Sequence, residues 1–153
     1  MSGSVDGFWA EFLRAEPAVP PDTPYQVWYF GNTPEVAREL ADLVLHGTKT
    51  ATASLLETNK RQPENAPIEN AFSVVTDIYG TPMCVIRTTE IKHMPFSDVG
   101  AAFAYDEGED DRTLESWRLA HRDYFNREAA ALGFDFDETS IVCCERFRLV
   151  FPK

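Results

Sequence analysis

The sequence predicts an α+β domain, a mixed sheet or barrel decorated by peripheral helices. Three observations carry that expectation. Some segments repeat apolar residues at helical spacing, while others are short β-branched and aromatic runs. The two kinds alternate without the regular strand-helix-strand rhythm of a parallel, doubly wound sheet. The 153 residues, 44% of them hydrophobic, suffice for one core and no more than one domain.

Taken in order, residues from about Val5 to Glu16 read as a first helix, with Phe8, Trp9, Phe12 and Leu13 at helical spacing. Pro17, Pro20, Pro21 and Pro24 then impose an extended linker. The expectation is that residues 1–25 pack as a helix and linker onto a single domain spanning 1–153. Val27 to Phe30 form a short strand ending at Gly31. Thr33, Pro34 and Glu35 supply an N-cap, a first helical position and an acid at the positive end of the dipole. Val36, Ala37, Leu40, Ala41, Leu43 and Val44 give that helix one apolar face, and Gly47 ends it. Thr50 to Leu55 reads as a strand, and the polar, proline-containing stretch from Glu57 to Asn70 as an exposed loop. Phe72–Thr76 and Met83–Ile91 form a strand pair around Tyr79-Gly80. A short helix follows within Ser97–Tyr105, a long one from Thr113 to Leu132, and a last strand from Ile141 to Phe151.

Composition limits the function. The net charge of −11 makes a poor general binder of long duplexes, whose affinity comes from neutralised phosphates, so no duplex DNA partner is expected. A nucleoside, a small substrate or a short single strand fits better. No apolar run reaches the roughly 18–20 residues needed to cross a bilayer. No signal peptide is apparent either, so the expected compartment is the cytoplasm, with no membrane partner. Cys84, Cys143 and Cys144 are odd in number, two are adjacent, and all lie in apolar runs. They read as buried core residues and not as a disulfide framework or a zinc site.

Four groups of residues have chemistry to offer. The first is Gly47-Thr48-Lys49-Thr50-Ala51-Thr52, joining a helix end to a strand. It lacks the glycine frame and the strand-to-helix order of a P-loop. Lys49 and Thr52 converge only if Lys49 still lies in the loop, because strand side chains alternate; otherwise Lys49 is a solvated lysine beside a strand residue. The second is Glu90, which simple alternation puts on the face of Cys84 and Ile86, and Glu145, which lines up with Cys143 and Phe147. A carboxylate on an apolar face is paired, hydrogen-bonded or protonated. Each acid reads equally as a site residue or a structural ion pair. The third is the acidic run Asp106, Glu107, Glu109, Asp110 and Asp111. It lacks EF-hand spacing and reads first as a solvated loop before a helix, so no metal is expected. The fourth is Trp117, His121 and Phe125 on one helical stripe, either core or cleft wall. Trp28 is able to stack a base, since every base has a flat π-face, and is equally readable as core.

Several segments together resemble the ASCH family, named for activating-signal-cointegrator homology. They are Trp28-Tyr29-Phe30-Gly31, Gly47-Thr48-Lys49-Thr50-Ala51-Thr52, Phe96-Ser97-Asp98-Val99, Glu107-Gly108-Glu109-Asp110, Trp117-Arg118-x-x-His121 and Val142-Cys143-Cys144-Glu145-Arg146-Phe147. The resemblance runs from about Trp28 to Phe151. It implies a PUA-like β-barrel with a cleft between barrel and helices, and a function directed at RNA or modified nucleosides. Some family members remove the acetyl group from N4-acetylcytidine using a Lys, a Thr and a Glu, without a cofactor; others are described as ribonucleases. Carried onto this chain, that set is Lys49, Thr52 and Glu90. Lys49 with a lowered pKa would deprotonate Thr52, and Glu90 would serve the leaving amine. Trp28, Thr50, Glu107, Trp117 and His121 would hold the substrate. A ribonuclease acting on single strands and a non-catalytic RNA or nucleotide module are the alternatives.

Overall fold

The computed structural model describes residues 4–153. Five helices surround a five-stranded mixed sheet. In chain order these are α1 (Val5–Ala15), β1 (Tyr25–Trp28), α2 (Pro34–Leu45), β2 (Ala51–Leu55) and α3 (Leu56–Arg61). Then come β3 (Phe72–Thr76), β4 (Pro82–Pro95), α4 (Ala101–Glu107), α5 (Leu114–Leu132) and β5 (Ile141–Phe151). The sheet order is β1-β3-β4-β5-β2. Only β1 and β3 run parallel; the other neighbours are antiparallel. This is the mixed α+β architecture expected from the sequence.

Local chemistry accounts for the ends of the helices. Ser4, Thr33 and Thr113 each accept a backbone N–H in the first turn of α1, α2 and α5. Gly108 and Gly133 end α4 and α5 in the left-handed conformation. The segment expected as a loop contains α3, which has no side-chain cap. Contacts with α5 hold it: Thr58 donates to Glu128 at 2.8 Å and Arg61 to the Leu132 carbonyl at 2.9 Å. Tertiary contacts of this kind leave no mark on local periodicity.

Alternation across the sheet divides the core into three. On one face, Trp9 and Phe12 of α1 pack against Phe72, Val74, Val85 and Val150. On the other, Phe30 and the α2 residues Ala41 and Val44 cover Val75, Cys84, Ile86 and Phe147. A third cluster puts α4, α5 and Phe96 against Ala51, Leu55, Val142 and Cys144. The three cysteines are free and buried, and burial pushes the Cys84 thiol up to about 12.

One irregularity decides where the acids point. Thr88 pairs with Phe147, but the next pair is Glu90 with Arg146, so Thr89 is an extra residue in β4. Such a bulge inverts the alternation beyond it. Thr88 keeps the inner face of Ile86, while Glu90 turns to the face of Arg146.

Candidate functional site

β1 and β2 are the two edges of the sheet. Between them lies a cleft of about 870 Å³, lined from β1 by Gln26 and Trp28 and from β2 by Thr52 and Ser54. α5 contributes His121 and Tyr124, the end of α4 contributes Glu107 and Glu109, and β5 contributes Glu145. Tyr29 stands at the lip, 44% exposed.

Behind this wall sits Lys49, in the turn after α2 and 1% exposed. Its Nζ donates to Glu109 Oε2 at 2.6 Å, to the Ala51 carbonyl at 2.8 Å and to Glu107 Oε1 at 2.9 Å. Three N–H donors meet three close acceptors, so no donor and no lone pair remains for other work. Burial pulls the amine's pKa down, but the carboxylates of Glu107 and Glu109 more than offset this, and the net direction is upward. Lys49 is a fixed ammonium ion. The lowered pKa expected of a general base is replaced by its opposite, because two acids share the lysine's pocket.

Glu107, 1% exposed, is the centre of the cluster. Besides Lys49 on Oε1, its Oε2 accepts Trp117 Nε1 at 2.6 Å and lies 3.2 Å from His121 Nε2. Burial alone pushes this carboxyl upward; Lys49, His121 and the indole N–H outweigh it and hold the carboxyl below the usual carboxylate range. The second imidazole nitrogen of His121 lies 2.9 Å from the Trp117 carbonyl. Both ring nitrogens therefore face acceptors, as an imidazolium requires. Burial pulls His121 down, Glu107 more than restores it, and the net direction is upward. Trp117 stacks on this ring at 4.2 Å. Glu109 is pushed up by burial and by Glu107, with Lys49 opposing.

Two acids behave differently. Glu145, 6% exposed, sits directly opposite Thr52 in the ladder and accepts the Thr88 hydroxyl on Oε2 at 2.6 Å. Burial pushes it upward against the pull of Thr88 and Lys49. Glu90 has a 42% exposed side chain and lies 3.7 Å from Arg146 and 3.8 Å from Lys92. It does not line the cleft. The acid brought to Lys49 is Glu107, because the bulge at Thr89 turns Glu90 to the outer face.

The remaining expected residues divide. Trp28, Thr52, Glu107 and His121 line the cleft. Trp117 is core, 4% exposed, and serves the cleft through its indole N–H to Glu107. Thr50 is exposed and donates to the Asp106 carbonyl, so it braces the turn instead of facing the cleft. Reasoning from the sequence named Glu109 only within an acidic run read as a solvated loop, and left Glu145 as an unresolved acid. The signal for Glu145 was present: a carboxylate on an otherwise apolar strand face. None existed for Glu109, whose position depends on Gly108. There a positive φ reverses the chain, and a Cβ would collide with the Thr48 carbonyl.

No curated protein sequence matches the chain. The model of the ASCH domain matches residues 26–151. The crystal structure of an ASCH domain from Lactobacillus crispatus JV V101 is 32% identical, with a TM-score of 0.84, covering 95% of this chain and 92% of its own. Protein EF3133 from Enterococcus faecalis V583 is also 32% identical at a TM-score of 0.84, covering 96% and 90%. Hypothetical protein PH0355, at 11% identity, a TM-score of 0.53 and coverage of 82% and 97%, shares the fold. The PUA-like architecture implied by the resemblance is the one observed.

Proposed function

This chain belongs to the ASCH domain family, and from that membership we propose that its cleft receives one nucleobase, free in a nucleoside or unpaired in RNA, and hydrolyses an acyl group from the exocyclic amine. The observation that carries this reading is the Lys49–Glu107 ion pair, 2.9 Å long, behind a cleft lined by the Thr52 hydroxyl. The acid of the Lys-Thr-Glu set is then Glu107, in place of Glu90.

In this reading the Thr52 oxygen attacks the acyl carbon, and its proton passes to a carboxylate lining the cleft, Glu109 or Glu145. The buried ammonium of Lys49 acts as a fixed charge that offsets the negative charge developing on the acyl oxygen. The carbon–nitrogen bond breaks as the amine takes a proton, and water releases the acyl group from Thr52 as a carboxylic acid. Trp28 and Tyr29 offer π-faces to the base. A ribonuclease would have to bring a phosphodiester against Glu107, Glu109 and Glu145, which disfavours it.

The test is incubation with N4-acetylcytidine and chromatographic measurement of free cytidine. Wild type should release cytidine, and Thr52→Ala should not. Absence of product from wild type, or equal product from Thr52→Ala, overturns the hydrolase. Binding without turnover leaves a recognition module.

A further inference from the structure

The buried charges do not balance. Lys49 and His121 are matched by Glu107 and Glu109. Glu145 is a further buried carboxylate, and among the described residues it takes part in no ion pair. One of its oxygens accepts the Thr88 hydroxyl; no hydrogen bond reaches the other, and the side chain lines the cleft. The cation whose field reaches it is Lys49, whose donors are taken by Glu107, Glu109 and Ala51. A buried carboxylate without a cation is costly to hold in its charged form. A ligand that brings a positive charge removes that cost.

A second feature points the same way. Trp28, Tyr29 and Tyr124 line the same cleft. Aromatic faces attract cations, most strongly where water is excluded. Trp28 is already braced edge-on by Phe30, with ring centroids 4.8 Å apart. Aromatic faces beside an uncompensated carboxylate suit a flat cation better than a neutral ring and far better than an anion.

We propose that the cleft selects an aromatic cation, such as a nucleobase carrying a fixed positive charge or an amidinium edge, with Glu145 as the carboxylate that receives it. The ring lies among Trp28, Tyr29 and Tyr124, and its charged N–H edge donates to the free oxygen of Glu145. An N-methylated purine nucleoside is one member of this class. Only that nucleoside form rests on the nucleobase reading above; the preference for positive charge does not.

The experiment is calorimetric titration of the full chain at neutral pH with two matched pairs: 1-methyladenosine against adenosine, and benzamidinium against benzamide. In each pair the shape is similar and the charge differs. The cation should bind on the order of tenfold more tightly or better, as a charge-assisted hydrogen bond allows. Glu145→Gln keeps the side-chain size and an acceptor for Thr88, and should abolish the preference. A preference for benzamidinium alone supports the inference while removing nucleobases as ligands. Equal binding within both pairs, no binding by any of the four, or a preference that survives Glu145→Gln overturns it. If Glu145→Gln does not fold, Tyr29→Leu at the exposed lip should weaken the cation more than its neutral partner, and equal weakening overturns the aromatic part. Release of cytidine from N4-acetylcytidine is scored separately, so the two readings fail independently.

Discussion

The packing of α1 on the sheet and the cleft wall behind β2 are both buried, yet they are held by different physics. Around Phe12, 1% exposed, the packing partners Trp9, Phe72 and Phe151 are aromatic, and burial itself supplies the stability. Around Glu107, also 1% exposed, burial opposes the charged form, and the cluster stands only because each polar atom has a partner. The first region tolerates change in proportion to volume removed. The second is a set of mutually dependent charges, in which loss of one leaves the others uncompensated.

Variants in each region sharpen this contrast or break it. Lys49→Met should have the largest effect. It strands Glu107 and Glu109, and chemical denaturation should show a loss of about 3–5 kcal/mol. Adding Glu107→Gln to that variant should cost less than the sum of the two single changes, since the pair is coupled. Strict additivity would show that the cluster is no more interdependent than the apolar region. Phe12→Ala should cost about 3 kcal/mol or more through cavity formation, while ligand binding in the folded protein is unchanged. Binding that weakens with it would join the two regions energetically.

Gly108→Ala comes next, at about 1–3 kcal/mol from the positive φ and the collision with Thr48. Its turnover should fall further than its stability, because the same turn carries Glu107 and Glu109, the two acids that hold Lys49. Glu145→Gln should have the opposite sign, stabilising the fold by about 0.5–2 kcal/mol while removing the preference for a cationic ligand. Glu145's pKa is raised on folding, so the native state binds the proton more tightly than the unfolded chain. Wild-type stability therefore falls relative to the variant as pH rises from the unfolded value of about 4.3 through the higher folded one. Melting curves across that range should diverge in this direction; parallel curves would remove the premise that Glu145 is uncompensated. The smallest effect is expected of Glu90→Gln, within about 1 kcal/mol because its pairs with Arg146 and Lys92 are solvent-screened. Loss of cytidine release in this variant would return the acid's role to Glu90.

The apolar region was legible in the sequence and the charged one was legible only in pieces. The helical spacing of Trp9 and Phe12 announces a packed face, and the limits expected for β3 and β5 are those observed. Lys49, Thr52, Glu107 and His121 were each identifiable as residue types with something to do. Their partnership was not, because 58 positions separate Lys49 from Glu107 and no periodicity links them. The acidic run reads as a solvated loop for good reason: Asp110 and Asp111 are exposed. What buries Glu107 is the docking of α4 on the Lys49 turn, fixed by Thr50 N–H to Asp106 O at 2.8 Å. That contact belongs to the tertiary structure. The acid opposite Lys49 was misassigned for a similar reason, since strict alternation along β4 cannot anticipate an inserted residue.

That inserted residue has consequences for any redesign of β4. Thr89 works as a half-turn in the ribbon: everything after it is worn inside out relative to everything before. Deleting it alone would leave Glu90 next after Thr88 and still opposite Arg146, outside; a slip of the later residues by one place, with Thr89 taking the position opposite Arg146, is what would carry Glu90 toward the space already held by Glu145. A variant shortened by this one position should therefore keep Glu90 in water, whereas a slipped ribbon would set two acids side by side in an interior that has no cation to spare.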